Sequence, residues 1–246
     1  MHIEPPKVAM HSVKEFFTHY LMIVLSVLTA LGLEALLEHM HHVHAAEAAQ
    51  EAIEAELADN VAQVKSSINE NRVRLAPLQA LDTRLVGEMQ SGKPKDEIAA
   101  EINALMRADG VDLGLFVPTL RHDAWDVAVA NQSATWVDRD SLTRYARAYT
   151  QQRILDAGAS STLLDGPRFV DAMTDARAQG ADPVVFLRAI SEAVGAMQAT
   201  QNRLQLLETT LLNALPADKA EAARRLAPAS ISPATAASQP ASAASR

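Results

Sequence analysis

The residues best able to do chemistry in this chain lie in two short runs. The first, Glu38-His39-Met40-His41-His42-Val43-His44, holds four of the eight histidines. On a helix, Glu34, Glu38 and His42 stack at i, i+4 and His41 and His44 lie at i, i+3, spacings at which two side chains share one metal ion. His39, His41, His42 and His44 are therefore the candidate metal ligands. A structural zinc site takes about four ligands from more than one element. Here there is no cysteine, and only the distant His122 could complete a set. The run reads better as an interfacial, pH-responsive belt.

The second run is Arg121, His122, Asp123, Trp125 and Asp126, with Trp136 ten residues on. Histidine beside aspartate offers acid–base chemistry. A core-facing Trp125 with the charges on the outer face of a helix accounts for the same residues without any. No phosphate-cradling glycine loop, dinucleotide-binding glycine fingerprint, His-Glu-x-x-His pair or Gly-x-Ser-x-Gly elbow occurs, and thiol nucleophiles are excluded. The chain is thus read as non-enzymatic, with no catalytic residue and no cofactor.

The element that must position everything else is residues 16–37, FFTHYLMIVLSVLTALGLEALL, the one segment apolar and long enough to cross a bilayer. As a helix it reaches roughly 33 Å against a hydrocarbon core of about 30 Å. A cleavable signal needs small residues close behind the apolar run, but Glu34, Ala35, Leu36, Leu37 and Glu38 follow, so an uncleaved anchor is expected over 16–38. Lys7 and Lys14 precede it, and no Lys or Arg occurs again until Lys65. That places the N-terminal tail, 1–15, in the cytoplasm, the anchor in a bacterial inner membrane and the main domain in the periplasm. Ser26, Ala30 and Glu34 recur every four residues on one stripe of the anchor, the small and polar pattern by which membrane helices pack on each other.

A net charge of −8, with acids spread along the chain, argues against nucleic acid, which needs a concentrated basic surface. Few aromatics and abundant Ala and Leu favour helices over sheet. Two seams of four-and-three spacing follow: Leu57, Val61, Val64, Ile68, Asn71, Leu75, Leu78, and Leu187, Ile190, Val194, Met197, Gln201, Leu204, Glu208, Leu211, Leu215. Asn71 is read as solvated at the edge of a bundle, and Pro77 as a kink. Shorter helices are expected over 95–108, 119–131, 140–157 and 166–179, the first starting after Gly92-Lys93-Pro94 and the third stopping at Gly158. The expected fold is all-α. A transmembrane helix continues into a long stalk helix, followed over 39–226 by a bundle of two long antiparallel helices and several short ones. Residues 227–246, rich in Ala, Ser and Pro, read as a disordered tail.

Ala124-Trp125 with Ala128, then Tyr145 and Tyr149, behind an anchor ending in Leu33, Glu34 and Leu36, resembles a family of uncharacterised bacterial single-pass membrane proteins over roughly residues 14–155. The resemblance implies the topology and a mostly helical domain, and carries no catalytic residue across. Trp125, Trp136, Tyr145 and Tyr149 are expected to form one structural aromatic cluster. The expected function is that of a scaffold or accessory subunit, joined through anchor and stalk to another membrane protein or to its own copies. The alternative is a periplasmic ligand sensor relaying to a membrane partner, its ligand held near Phe116, Trp125 and Phe169; a proton relay through Glu34 ranks last.

Overall fold

A computed structural model describes residues 13–108, 114–179 and 182–225. The N-terminal tail up to residue 12, the turn at Asp109-Gly110 and the tail over 227–246 lie outside the described residues. Every regular element described is helical, with no strand among them.

Helix α1, Val13–Gln90, runs unbroken for 78 residues, roughly 117 Å at 1.5 Å per residue. Its N-terminal third carries the one described stretch apolar and long enough to cross a membrane, and that stretch is fully exposed. Such a stretch near an N-terminus is a membrane span or a signal sequence. Pro77 does not end the helix. The carbonyl it leaves without a partner belongs to Val73, and both residues are exposed, so water can satisfy the missing bond on the outer face.

The remaining helices fold back onto the distal part of α1. They are α2 (Lys95–Ala108), α3 (Asp123–Ala130), a 3-10 turn (Ser133–Trp136), α4 (Arg139–Gln179), α5 (Pro183–Ala214) and α6 (Ala217–Arg225). Helix α5 starts where Asp182 accepts from the Val184 N–H at 2.8 Å with Pro183 in the first turn, a well-formed N-cap. It runs antiparallel to α1: Ser191 donates to Asp82 and, nearer the N-terminus of α1, the Gln201 amide donates to the Ile68 carbonyl at 3.0 Å. Gly158 of α4 faces Arg203 of α5, about equally far from the turn that joins the two helices, so these two form an antiparallel hairpin.

Three long helices, not two, therefore make the bundle. The expected break at Gly158 and restart at Gly166-Pro167 do not occur, because α4 is continuous through both. Gly and Pro weaken a helix locally by about 1 and 3 kcal/mol, a cost borne by a 41-residue helix that Tyr145, Ala148 and Leu155 hold in the core. Helix α3 also starts later than expected, at Asp123, with His122 rather than Thr119 before it and no side-chain cap.

The core has two apolar clusters. One joins Ile53, Leu57, Val61 and Val64 of α1 to Tyr145 and Leu155 of α4 and Leu204, Leu207 and Leu211 of α5. The other joins Leu75, Leu78 and Leu85 to Ile98 and Ile102 of α2 and Phe186, Ile190 and Met197 of α5. A polar layer separates them, with Ser67, Asn71 and Gln201 all buried.

Asn71 is not solvated at an edge: it is 1% exposed. Its Nδ2 donates to the Phe116 carbonyl at 2.7 Å and its Oδ1 accepts from the Phe116 N–H at 2.8 Å. Asn60 does the same for Arg121, at 2.8 and 3.0 Å. Eleven residues of helix and five of extended chain both span about 16–17 Å, so the two amides hold the 116–121 strap straight along α1. Each asparagine gives the strap the donor and acceptor that a neighbouring strand would supply.

Candidate functional site

Beyond the strap, α1 buries two carboxylates in the half of the bundle nearer its apolar N-terminal stretch. Glu54 and Glu56 are each 4% exposed. Glu54 accepts from the Tyr145 hydroxyl at 2.6 Å and from Gln50 at 3.0 Å, and pairs with Lys219 of α6 at 2.8 Å. Glu56 accepts from the Tyr149 hydroxyl at 2.6 Å and from the Ala124 N–H, in the first turn of α3, at 3.0 Å. Burial pushes the Glu54 carboxyl up, but hydrogen bonds from Lys219, Tyr145 and Gln50 outweigh it and hold the group below its ordinary value. Burial, reinforced by the facing carboxylate, pushes both tyrosine hydroxyls far above theirs. The phenols keep their protons and act as donors. Together these pairs tie α3, α4 and α6 to less than one turn of α1.

A folded-state value below 4.5 means that the unfolded chain binds the Glu54 proton first as pH falls. This contribution is complete above about pH 4.5 and is lost as pH drops through the lower folded value. Thermal unfolding of wild type and Glu54→Gln, followed by circular dichroism from pH 6 to pH 3, is expected to show the wild-type midpoint falling more steeply. Parallel curves would remove Glu54 from the account.

Beside Glu56 lies a groove of about 620 Å³ between α1 and α3. Ala45, Ala48, Ala52 and Ala55 make its floor, Val127 its wall, and Asp59 and Asp123 part of its rim. The floor continues the anchor stripe. From Ser26 through Ala30, Glu34, Glu38, His41, Ala45, Ala48 and Ala52 to Ala55, eight steps cover 29 residues, about 3.6 per step, the period of a straight helix. Ser26, Ala30 and Glu34 are exposed, and the Ser26 hydroxyl donates to the Met22 carbonyl of its own helix at 2.8 Å. A face this rich in small residues allows another helix to approach closely.

The four histidines do not converge, and among the described residues no group of three or more metal-ligating side chains does. Successive positions on a helix turn by about 100°, which sends the run to several faces. His42 lies 3.6 Å from Glu38 and His44 3.5 Å from Glu47, both along α1, while His39 and His41 are exposed. The acid–base pair at the head of α3 stands in open solvent: His122 Nδ1 lies 2.7 Å from the Asp126 carboxylate, which raises the imidazole above its ordinary value.

The aromatic residues separate. Trp125 stacks on Tyr149 at 5.2 Å between ring centroids, and Tyr145 is wholly buried nearby. Trp136 leaves this group: it is 53% exposed and stacks instead on His42, 3.8 Å away and nearly parallel. Val137 takes the core position beside it, turning the indole outward. Phe116 and Trp125 sit at different heights, against Asn71 and beside Glu56, so they do not line one interior; the Phe169 side chain lies outside the described residues.

Comparison with known protein families, curated proteins and solved structures finds no match for this chain. The buried acids were the residues hardest to see in the sequence. Tyr145 and Tyr149, one helical turn apart on an apolar face, gave the signal, since a buried phenol takes a hydrogen-bond partner.

Proposed function

We propose that this is a membrane-anchored, non-enzymatic helical scaffold or accessory subunit, which associates through α1 with another membrane protein or with its own copies. One observation carries the reading. A single unbroken helix holds the exposed apolar stretch and, on a continuous face, the alanine floor of the groove. Anchor and stalk thus offer a partner helix one straight surface from bilayer to bundle. The buried polar groups support the same reading, because Glu54, Glu56, Asn60 and Asn71 are all engaged in fastening other elements to α1. In this reading the anchor is uncleaved, the N-terminus is cytoplasmic and the bundle periplasmic, in a bacterial inner membrane.

The test is gentle purification of the tagged full-length protein from its native membrane, with mass determination and identification of what accompanies it. A stoichiometric membrane protein or a discrete homo-oligomer is expected, and either should dissociate when Ala48 and Ala52 are both replaced by leucine. A monomer alone, unaffected by the replacements, would overturn the reading.

A further inference from the structure

We propose that the corner between α3 and α4 rests in the headgroup layer of the bilayer that α1 crosses, with the Trp136 indole as its point of insertion. The proposal rests on the anchor reading and adds a second attachment to it. Its first support is height. Residues 16–37 fill a hydrocarbon core of about 30 Å, so His42, five residues past Leu37, stands about 7–8 Å beyond its edge. The headgroup layer occupies about 5–7 Å on each side, so His42 stands at its outer boundary and an indole stacked on it at 3.8 Å is held at that boundary.

The second support is the indole itself. Among the described residues past the anchor, Trp136 is the one exposed aromatic. Met40 and Val43, also exposed, continue the apolar surface of α1 up to the same height. An indole has an apolar body and a single N–H donor, which suits it to the boundary between acyl chains and water. A third support is the way the corner is built. Gln132 adopts the left-handed conformation (φ 65°), unusual for a residue with a side chain, and turns the chain out of α3. Ser133 and Val137 are buried on either side, and the Asp138 carboxylate accepts from the N–H groups of Asp140 and Ser141 at 3.1 and 2.9 Å to start α4. Trp136 is therefore presented by a fixed turn. With Asp138 and Asp140 flanking Arg139, the corner has no basic excess, so the contact is apolar and gains nothing from anionic lipid.

The experiment uses the full-length protein in phosphatidylcholine vesicles, with Trp125→Phe leaving Trp136 as the single tryptophan. The wild type minus Trp136→Phe difference spectrum gives the same emission if Trp125→Phe disturbs the fold. Flotation with the vesicles comes first. In floated protein the Trp136 emission is expected to be blue-shifted and to lose most of its intensity to a headgroup-level spin label, much less to a mid-chain label. Loss to aqueous iodide with no response to either lipid label would overturn the proposal and leave the anchor standing. So would protection from all quenchers, which would assign Trp136 to a protein interface. Failure to float would overturn the anchor reading, and the proposal with it.

Discussion

Replacing Asn71 by leucine is expected to lower the stability of the protein by about 2–3 kcal/mol, although the change completes an apolar seam. Heptad logic alone predicts the opposite, since a buried leucine adds about 1.5–3 kcal/mol of apolar burial. Against that gain stand two hydrogen bonds to Phe116 and two backbone groups left without partners, each costing about 1–3 kcal/mol. Arg74, which lies 4.3 Å over the Phe116 ring and donates to the Gly114 carbonyl at 3.4 Å, is the remaining hold on the strap at this end. Thermal unfolding of the full-length protein in detergent, with limited proteolysis at 114–122, measures both effects. A raised midpoint with an unchanged cleavage rate would show that the strap does not depend on the amide.

The second large effect is expected at Glu56. Glu56→Leu leaves the Tyr149 hydroxyl and the Ala124 N–H without their acceptor, both at buried or half-buried positions, for a loss of about 2–4 kcal/mol. Removing the hydroxyl as well, in Glu56→Leu/Tyr149→Phe, is expected to return part of that loss, because one of the two orphans is gone. A coupling of about 1–2 kcal/mol in the double-mutant cycle is the expected result. Strict additivity would mean that the 2.6 Å contact contributes nothing to the fold.

The all-helical character of this chain was legible because its cues are local. The apolar run, the absence of proline from Ala45 to Leu75, and the Asp182-Pro183 start each act within a turn or two. What failed was also local in origin. Gly158 and Gly166-Pro167 are helix breakers by propensity, yet α4 runs through both, and α1 runs on past Pro77, whose unpaired Val73 carbonyl faces outward. The place of Asn71 is not legible in the heptad pattern, because its partner is a backbone 45 residues away and nothing in the pattern identifies a loop that needs an amide. Residue type alone groups Trp136 with Trp125, whereas Val137, one position on, holds the core place. Periodicity locates seams; it does not say which side chain at a corner turns in.

The antiparallel pairing of α1 with α5 also sets an order of events during synthesis. The amide of Gln201 reaches the carbonyl of Ile68 across 133 residues of chain. At about 5–20 residues per second, roughly 7–27 s pass between the emergence of the first seam and that of its partner. For that interval Leu57, Val61 and Val64, which end wholly buried, lack the Leu204, Leu207 and Leu211 side chains that complete their cover. Nascent chains halted short of α5 should therefore bind a hydrophobic dye or a chaperone at the first seam, and release it only once residues beyond Leu211 have been made.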